Sequence, residues 1–117
     1  MFASAEAAID RHASTAEVAH IFYNDDLVVT IQGDKTYHGL QSFMRPLAGY
    51  LQGIERCHFK LMKPVQHSGE VAAAFVQERC DPAKPGDAAE DLRILYVFKH
   101  GPKGWRVSQE SAMEGVM

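Results

Sequence analysis

Two stretches of alternating hydrophobicity constrain this chain's fold more than any other feature. They are Val71–Asp81, VAAAFVQERCD, and Asp91–His100, DLRILYVFKH. Successive side chains of a β-strand point to opposite faces, so each stretch predicts a strand with one apolar face. If the strands are neighbours, they form a pocket with an apolar floor and a polar end. The odd-numbered side chains of the first strand form the face that we expect to line this pocket: Val71, Ala73, Phe75, Gln77, Arg79 and Asp81.

The patterns in the rest of the chain predict helices first and a meander of strands last. Helices are expected over 4–13, 15–23 and 39–51, and strands over 27–31, 35–38, 57–66, 71–80, 92–100 and 105–113. Asn24, Asp25 and Asp26 favour turns and should end the second helix, and Pro46 should kink or split the third. This order predicts one α+β domain over residues 1–117, with helices on one face of a mainly antiparallel sheet.

Charge and length exclude several classes of protein. The 117 residues suffice for one hydrophobic core but not two. The net charge is −3 and no basic stripe is present, which argues against nucleic acid and anionic membranes as partners. No apolar run approaches the roughly 20 residues of a membrane span. The N-terminal residues lack the basic start of a signal peptide, so we expect a cytoplasmic protein.

Cysteines and histidines give no sign of a metal site or a cofactor. The six histidines form neither i,i+4 pairs nor a Cys/His cluster, so we predict no metal and no cofactor. Cys57 and Cys80 would lie opposite each other if residues 67–70 join two strands symmetrically. In the cytoplasm such a pair is expected as reduced thiols that serve in packing.

The order of elements, together with three local patterns, resembles the nuclear transport factor 2-like superfamily. The patterns are IFYNDDLVVTI, YHGLQSF and GWRVSQESAM. The SnoaL-like branch is the nearest general description. The resemblance implies a cystatin-like cone, in which a curved sheet wraps around N-terminal helices and encloses a cavity. It also implies a homodimer formed through the outer face of the sheet.

One branch of this superfamily, the limonene-epoxide-hydrolase type, is also similar in its local residues. Its Arg-x-Asp strand is matched by Arg79-Cys80-Asp81, and its second carboxylate falls near Glu110. By this resemblance Glu110 would be the base that activates water, Asp81 the acid that protonates the epoxide oxygen, and Arg79 the bridge between them. A simple ion pair of Arg79 with Asp81 at the cavity rim is the alternative. The ketosteroid isomerase branch matches less well, because its catalytic Asp falls at Ile31.

Strict alternation along the last strand conflicts with a catalytic Glu110. If Trp105, Val107 and Met113 point inward, Glu110 points outward, unless a β-bulge intervenes. The sequence leaves both arrangements open.

The leading functional hypothesis is a domain that binds a small apolar or mixed-polarity molecule. The expected ligand-binding residues are Phe43, Leu47, Phe75, Gln77, Ile94, Tyr96 and Phe98. One alternative is a cofactor-independent hydrolase or isomerase that uses Arg79, Asp81 and Glu110. Another is a homodimeric interaction module without catalysis, whose flat contact face would consist of Ala72, Ala74, Val76 and Cys80.

Overall fold

The computed structural model describes residues 2–115, in which three helices pack on one face of a curved, seven-stranded mixed sheet. The helices are α1 (Phe2–Asp10), α2 (Thr15–Phe22) and α3 (Leu40–Gln52). The strands are β1 (Tyr23–Ile31), β2 (Thr36–His38), β3 (Ile54–Leu61), β4 (Gln66–Ser68), β5 (Val71–Pro82), β6 (Glu90–Gly101) and β7 (Gly104–Glu114). The α+β class predicted from the sequence is confirmed. Among the described helices, none combines the length and the hydrophobicity that a membrane crossing requires.

The sheet has the order β2-β1-β7-β6-β5-β3, and β4 pairs with β5 beside β3. β1 runs parallel to β7, while the other neighbouring strands are antiparallel. The core lies between the helices and the inner face of the sheet, where Phe22, Leu27, Val29 and Val107 are buried. The long central strands β5, β6 and β7 therefore present their inner faces to the helices.

The predicted turn at Asn24–Asp26 is wrong, because these residues belong to β1. The Asn24 amide donates hydrogen bonds to the Ser108 hydroxyl and to the Arg106 carbonyl, at 2.9 and 3.1 Å. The Asp26 carboxylate accepts hydrogen bonds from Ser108 Oγ at 2.9 Å and from Lys99 Nζ at 3.1 Å. These tertiary partners hold in a strand residues that would favour a turn in isolation.

Two prolines have different effects on the predicted elements. The third helix runs unbroken from Leu40 to Gln52 across Pro46, so it is not split as expected. The strand predicted over 57–66 does divide, into β3 and β4, and Pro64 lies in the gap. A proline cannot donate a hydrogen bond to a strand ladder, which explains that gap.

Cys57 and Cys80 lie opposite each other in the register of β3 and β5, as the symmetric hairpin predicted. A disulfide joins them, whereas the sequence favoured reduced thiols. A cytoplasmic location stays a prediction, and this bond counts against it because disulfides persist mainly in oxidising compartments.

Candidate functional site

The pocket-lining face of β5 is the even-numbered one, not the odd-numbered one that we predicted. Its inner positions are Ala72, Ala74, Val76, Glu78 and Cys80, all buried. On the opposite face Phe75 is 41% exposed. Both faces begin with small or apolar residues, so hydrophobicity alone did not distinguish them. The inward alanines leave space for the aromatic side chains of the core. The contact face expected for an interaction module is therefore the buried one.

Four of the predicted site residues lie on the outer face of β5: Phe75, Gln77, Arg79 and Asp81. The Arg79 guanidinium forms an ion pair with Asp91, with Nη1 3.1 Å from Oδ2. Asp81 lies opposite Arg56 of β3, and the Gln77 amide donates a hydrogen bond to the Leu92 carbonyl at 3.0 Å. The structure thus does not bring Arg79 and Asp81 together with the inward-facing Glu110 as a hydrolase set.

A cavity of about 320 Å³ lies between the helices and the inner face of the sheet. Four of the predicted ligand-binding residues are in its wall: Phe43, Leu47, Ile94 and Tyr96. Phe98 lies deeper, packed against the rings of Phe2 and Phe22, and it is part of the core.

Glu110 faces the cavity because β7 contains a bulge. Phe98 pairs with Val107 and Val97 pairs with Gln109, which leaves Ser108 as an extra residue in β7. Val107 and Ser108 are both buried, and the alternation after them is reversed. Glu110 consequently points inward and is only 6% exposed. Met113, which we expected inward, lies on the outer side and is 42% exposed.

The Glu110 carboxyl is held by a tyrosine from the start of β1. The Tyr23 hydroxyl donates a hydrogen bond to Glu110 Oε1 at 2.9 Å. Burial raises the pKa of Glu110 to about 7, although the hydrogen bond from Tyr23 acts in the opposite direction. Near neutral pH this carboxyl can therefore either accept or donate a proton.

A second buried carboxyl, Glu78 of β5, has a similar environment. The Tyr50 hydroxyl from α3 donates a hydrogen bond to Glu78 Oε1 at 2.9 Å. Burial, followed by the charge of Glu110, raises the pKa of Glu78 to about 8. Glu78 also lies within 4.8 Å of the sulfurs of Cys57 and Cys80, but these are bonded to each other and are not thiolate ligands.

Tyr96 adds a third tyrosine hydroxyl to this group. It lies opposite Glu110 in the β6–β7 register, lines the cavity and is 1% exposed. Within residues 2–115 its hydroxyl has no hydrogen-bond partner, unlike those of Tyr23 and Tyr50. Burial, together with the charges of Glu110 and Glu78, raises the pKa of Tyr96, so the hydroxyl keeps its proton.

The rest of the polar lining lies at the exposed mouth of the cavity. It consists of Gln32, Asp34, Glu90 and Glu114. Among the described residues, the cavity wall therefore contains five acidic side chains and no Lys, Arg or His.

The site residues predicted from the sequence did not include three polar residues of the cavity, Glu78, Tyr23 and Tyr50. A signal for Glu78 was present, since it is the one charged residue on an otherwise small and apolar strand face. A carboxyl group in such a position is costly to bury and often marks a functional site. Tyr23 and Tyr50 carried no comparable signal, because a tyrosine beside apolar residues is usual in a core.

The family follows from a match over nearly the whole chain. Residues 3–113 match the SnoaL-like domain. The chain belongs to the SnoaL-like family. The branch of the nuclear transport factor 2-like superfamily suggested by the sequence is thereby confirmed. No curated protein matches the sequence of this SnoaL-like domain.

Solved structures agree with the fold of this SnoaL-like domain at low sequence identity. A ketosteroid isomerase-like protein from Erwinia carotovora atroseptica has a TM-score of 0.74 and 14% identity, over 97% of this chain and 89% of that chain. A cystatin-like domain of unknown function from Nostoc punctiforme has a TM-score of 0.73 and 16% identity, over 96% of this chain and 71% of that chain. A nuclear transport factor 2-like protein from Salmonella enterica has a TM-score of 0.69 and 13% identity, over 96% of this chain and 84% of that chain. At such identities these similarities establish the fold alone.

Proposed function

We propose that this SnoaL-like domain binds a small, mainly apolar molecule in the cavity between its helices and its sheet. The observation that carries the proposal is a 320 Å³ cavity whose aromatic and aliphatic wall also holds Glu78 and Glu110. Small-molecule sites commonly enclose roughly 300–1,000 Å³ and combine apolar walls with a few fixed polar groups. Burying two carboxyls costs free energy of folding, and such groups are typical of functional sites, where they can orient a ligand.

Filling the cavity is expected to abolish binding. Ala112 lines the cavity and is 4% exposed, so Ala112→Trp would occupy the space of the ligand. We expect 1-adamantanol, a compact neutral alcohol, to raise the melting temperature of the wild type but not of Ala112→Trp. Ala112→Leu, which adds less volume, should bind at least tenfold more weakly than the wild type. Ala88→Trp, in the exposed β5–β6 connection, is the matched control. Equal stabilisation of all four proteins would contradict binding in this cavity.

A second candidate function is proton-transfer catalysis without a cofactor. The observation that favours it is the pair Glu78 and Glu110, because their environments separate their pKa values to about 8 and about 7. Glu110 ionises first and would act as the general base. Glu78 would keep its proton and act as the general acid.

This pair fits isomerisation and dehydration. In a dehydration Glu110 would remove a proton from carbon, the electron pair would form the new double bond, and the carbon–oxygen bond would break. The departing hydroxide would take the Glu78 proton and leave as water. A catalyst would lose nearly all turnover in Glu110→Gln and keep it in Glu70→Gln, an exposed glutamate outside the cavity wall. A binding protein would show turnover in neither variant.

The outer face of the sheet is proposed as a homodimer contact. Phe75, Val71 and Met113 are large apolar residues exposed on this face, at 41, 44 and 42%. We expect a dimer at micromolar concentration in sedimentation equilibrium and a monomer for Phe75→Asp. Val65→Asp is the control, since Val65 is similarly exposed but lies in the loop between β3 and β4. A monomeric wild type, or a dimeric Phe75→Asp, would contradict this contact.

A further inference from the structure

We propose that the ligand of this cavity is an apolar amine, bound as its ammonium ion with the charged end at Glu78 and Glu110. The inference rests on the proposed function, because it names the chemical class of the molecule in the same cavity.

The charge of the cavity wall selects against anions. Its titratable side chains are carboxyl groups and tyrosines, and no Lys, Arg or His of the described chain lines it. The carboxyl groups are Asp34, Glu78, Glu90, Glu110 and Glu114. A cleft lined by one sign of charge raises the local concentration of the opposite charge and repels its own. The exposed carboxylates at the mouth would attract a cation before the two buried ones hold it.

The hydrogen-bonding capacity inside the cavity is unfilled on the acceptor side. A carboxylate can accept about four hydrogen bonds, and one tyrosine hydroxyl donates to each of Glu78 and Glu110. The Tyr96 hydroxyl has no partner within residues 2–115 and can itself accept. An ammonium group offers three N–H donors and no acceptor. It therefore complements this set of acceptors, whereas a carboxylate ligand would add further acceptors to it.

The remaining wall suits the apolar body of such a cation. Its aromatic members are Phe22, Tyr23, Phe43, Tyr50, Phe59 and Tyr96. Aromatic faces attract ammonium groups and pack well against hydrocarbon. The polar and apolar parts of the cavity thus fit the two ends of one molecule.

Binding of an ammonium ion should also release protons. Near neutral pH Glu78 and Glu110 are partly protonated, since burial raises both pKa values. An adjacent cation favours the charged carboxylates and lowers those pKa values. The other titratable groups that interact with the pair are Glu90 and three tyrosines. The charge of Glu90 acts on Glu78, and the charges of Glu78 and Glu110 act on Tyr23, Tyr50 and Tyr96. The tyrosines keep their protons, because burial raises their pKa values. The released protons would therefore come from the two glutamic acids.

Three probes with one hydrocarbon body test the proposal: 1-adamantylamine, 1-adamantanol and 1-adamantanecarboxylate. Their binding is measured by calorimetry at pH 7 in two buffers of different ionisation enthalpy. We expect the amine to bind at least tenfold more tightly than the alcohol, the carboxylate to bind most weakly, and only the amine to release protons. In Glu78→Gln/Glu110→Gln the preference and the proton release should disappear while the alcohol still binds. Glu70→Gln, an exposed glutamate of the β4–β5 turn, should behave like the wild type.

The outcomes separate this inference from the function on which it rests. If the alcohol or the carboxylate binds as tightly as the amine, the ligand class is overturned and the small-molecule function stands. Two other results would also overturn the ligand class: amine binding without proton release, and a preference for the amine over the alcohol that persists in the double variant. In either case the ammonium group would be bound by residues other than Glu78 and Glu110. If none of the three probes binds, both the ligand class and the proposed function are overturned.

Discussion

Replacement of Glu110 by glutamine is expected to remove about 3 kcal/mol of pH dependence from the free energy of unfolding, and replacement of Glu78 about 5 kcal/mol. Both pKa values are raised in the folded protein, to about 8 and about 7, from an ordinary value of 4.5. The unfolded chain therefore releases these protons at lower pH than the folded chain does. The resulting stabilisation is complete below pH 4.5 and is lost as the pH rises through the folded-state values. The wild type should be least stable above pH 8.

Urea unfolding between pH 4 and pH 9 measures this effect. The wild type should lose stability steadily above pH 4.5, and each single variant should lose less. Each single variant reduces the loss of stability by some amount. The reduction in the double variant should be smaller than the sum of the two single reductions, because the charge of Glu110 contributes to the raised pKa of Glu78. Asp87→Asn, in the exposed β5–β6 connection and outside the cavity wall, should retain the slope of the wild type. A wild-type profile that is flat from pH 5 to pH 8 would contradict the burial of two protonated carboxyls.

Deletion of Ser108 is expected to destabilise the protein by about 1–3 kcal/mol and to leave Glu110 facing the cavity. Without the extra residue, Val107 and Glu110 are two positions apart, so uninterrupted alternation along β7 keeps both on the inner face. Gln109 would remain on the outer face and Ala112 at the cavity. The cost therefore comes from the hydrogen bonds that the Ser108 hydroxyl makes with Asn24 and Asp26.

Two variants separate the role of the bulge from that of the Ser108 side chain. Ser108→Ala keeps the residue count but removes the hydroxyl that bonds to Asn24 and Asp26, at a cost of about 1–3 kcal/mol. Deletion of Ala88, in the exposed β5–β6 connection, should cost less than about 1 kcal/mol. Chemical denaturation of the three variants provides the comparison. A Ser108 deletion that costs much more than Ser108→Ala would contradict this account, because the bulge itself would then stabilise the fold beyond the hydrogen bonds of its hydroxyl.

The order of elements could be predicted from the sequence because it depends on local patterns. The capping box at Ser14 and Glu17 gives the start of α2, where the Ser14 side chain accepts a hydrogen bond from the Glu17 amide. Gly39, whose φ of +84° suits glycine, precedes α3 as expected. The Asn24–Asp26 turn failed because Ser108 and Lys99, distant in sequence, supply the partners of these residues.

The candidate site was harder to predict because it depends on the directions of side chains. A strand's period of two defines two faces but does not say which one meets the helices, so an error of one residue displaced Gln77, Arg79 and Asp81 together. The bulge at Ser108 has no local signature in the sequence, and it determines where Glu110 points. Glu78 could have been found as the acidic residue on the apolar face of β5.

The pH titration of the glutamate side-chain carboxyls by carbon-13 NMR tests the central claim most directly. That claim is that Glu78 and Glu110 form a buried pair in the cavity that exchanges protons near neutral pH. We predict two carboxyl signals with midpoints near pH 7 and pH 8. Glu110→Gln should remove the first, and Glu78→Gln should remove the second. If every glutamate of the protein titrates near its ordinary pKa of 4.5, the cavity holds no such pair and the central claim is wrong.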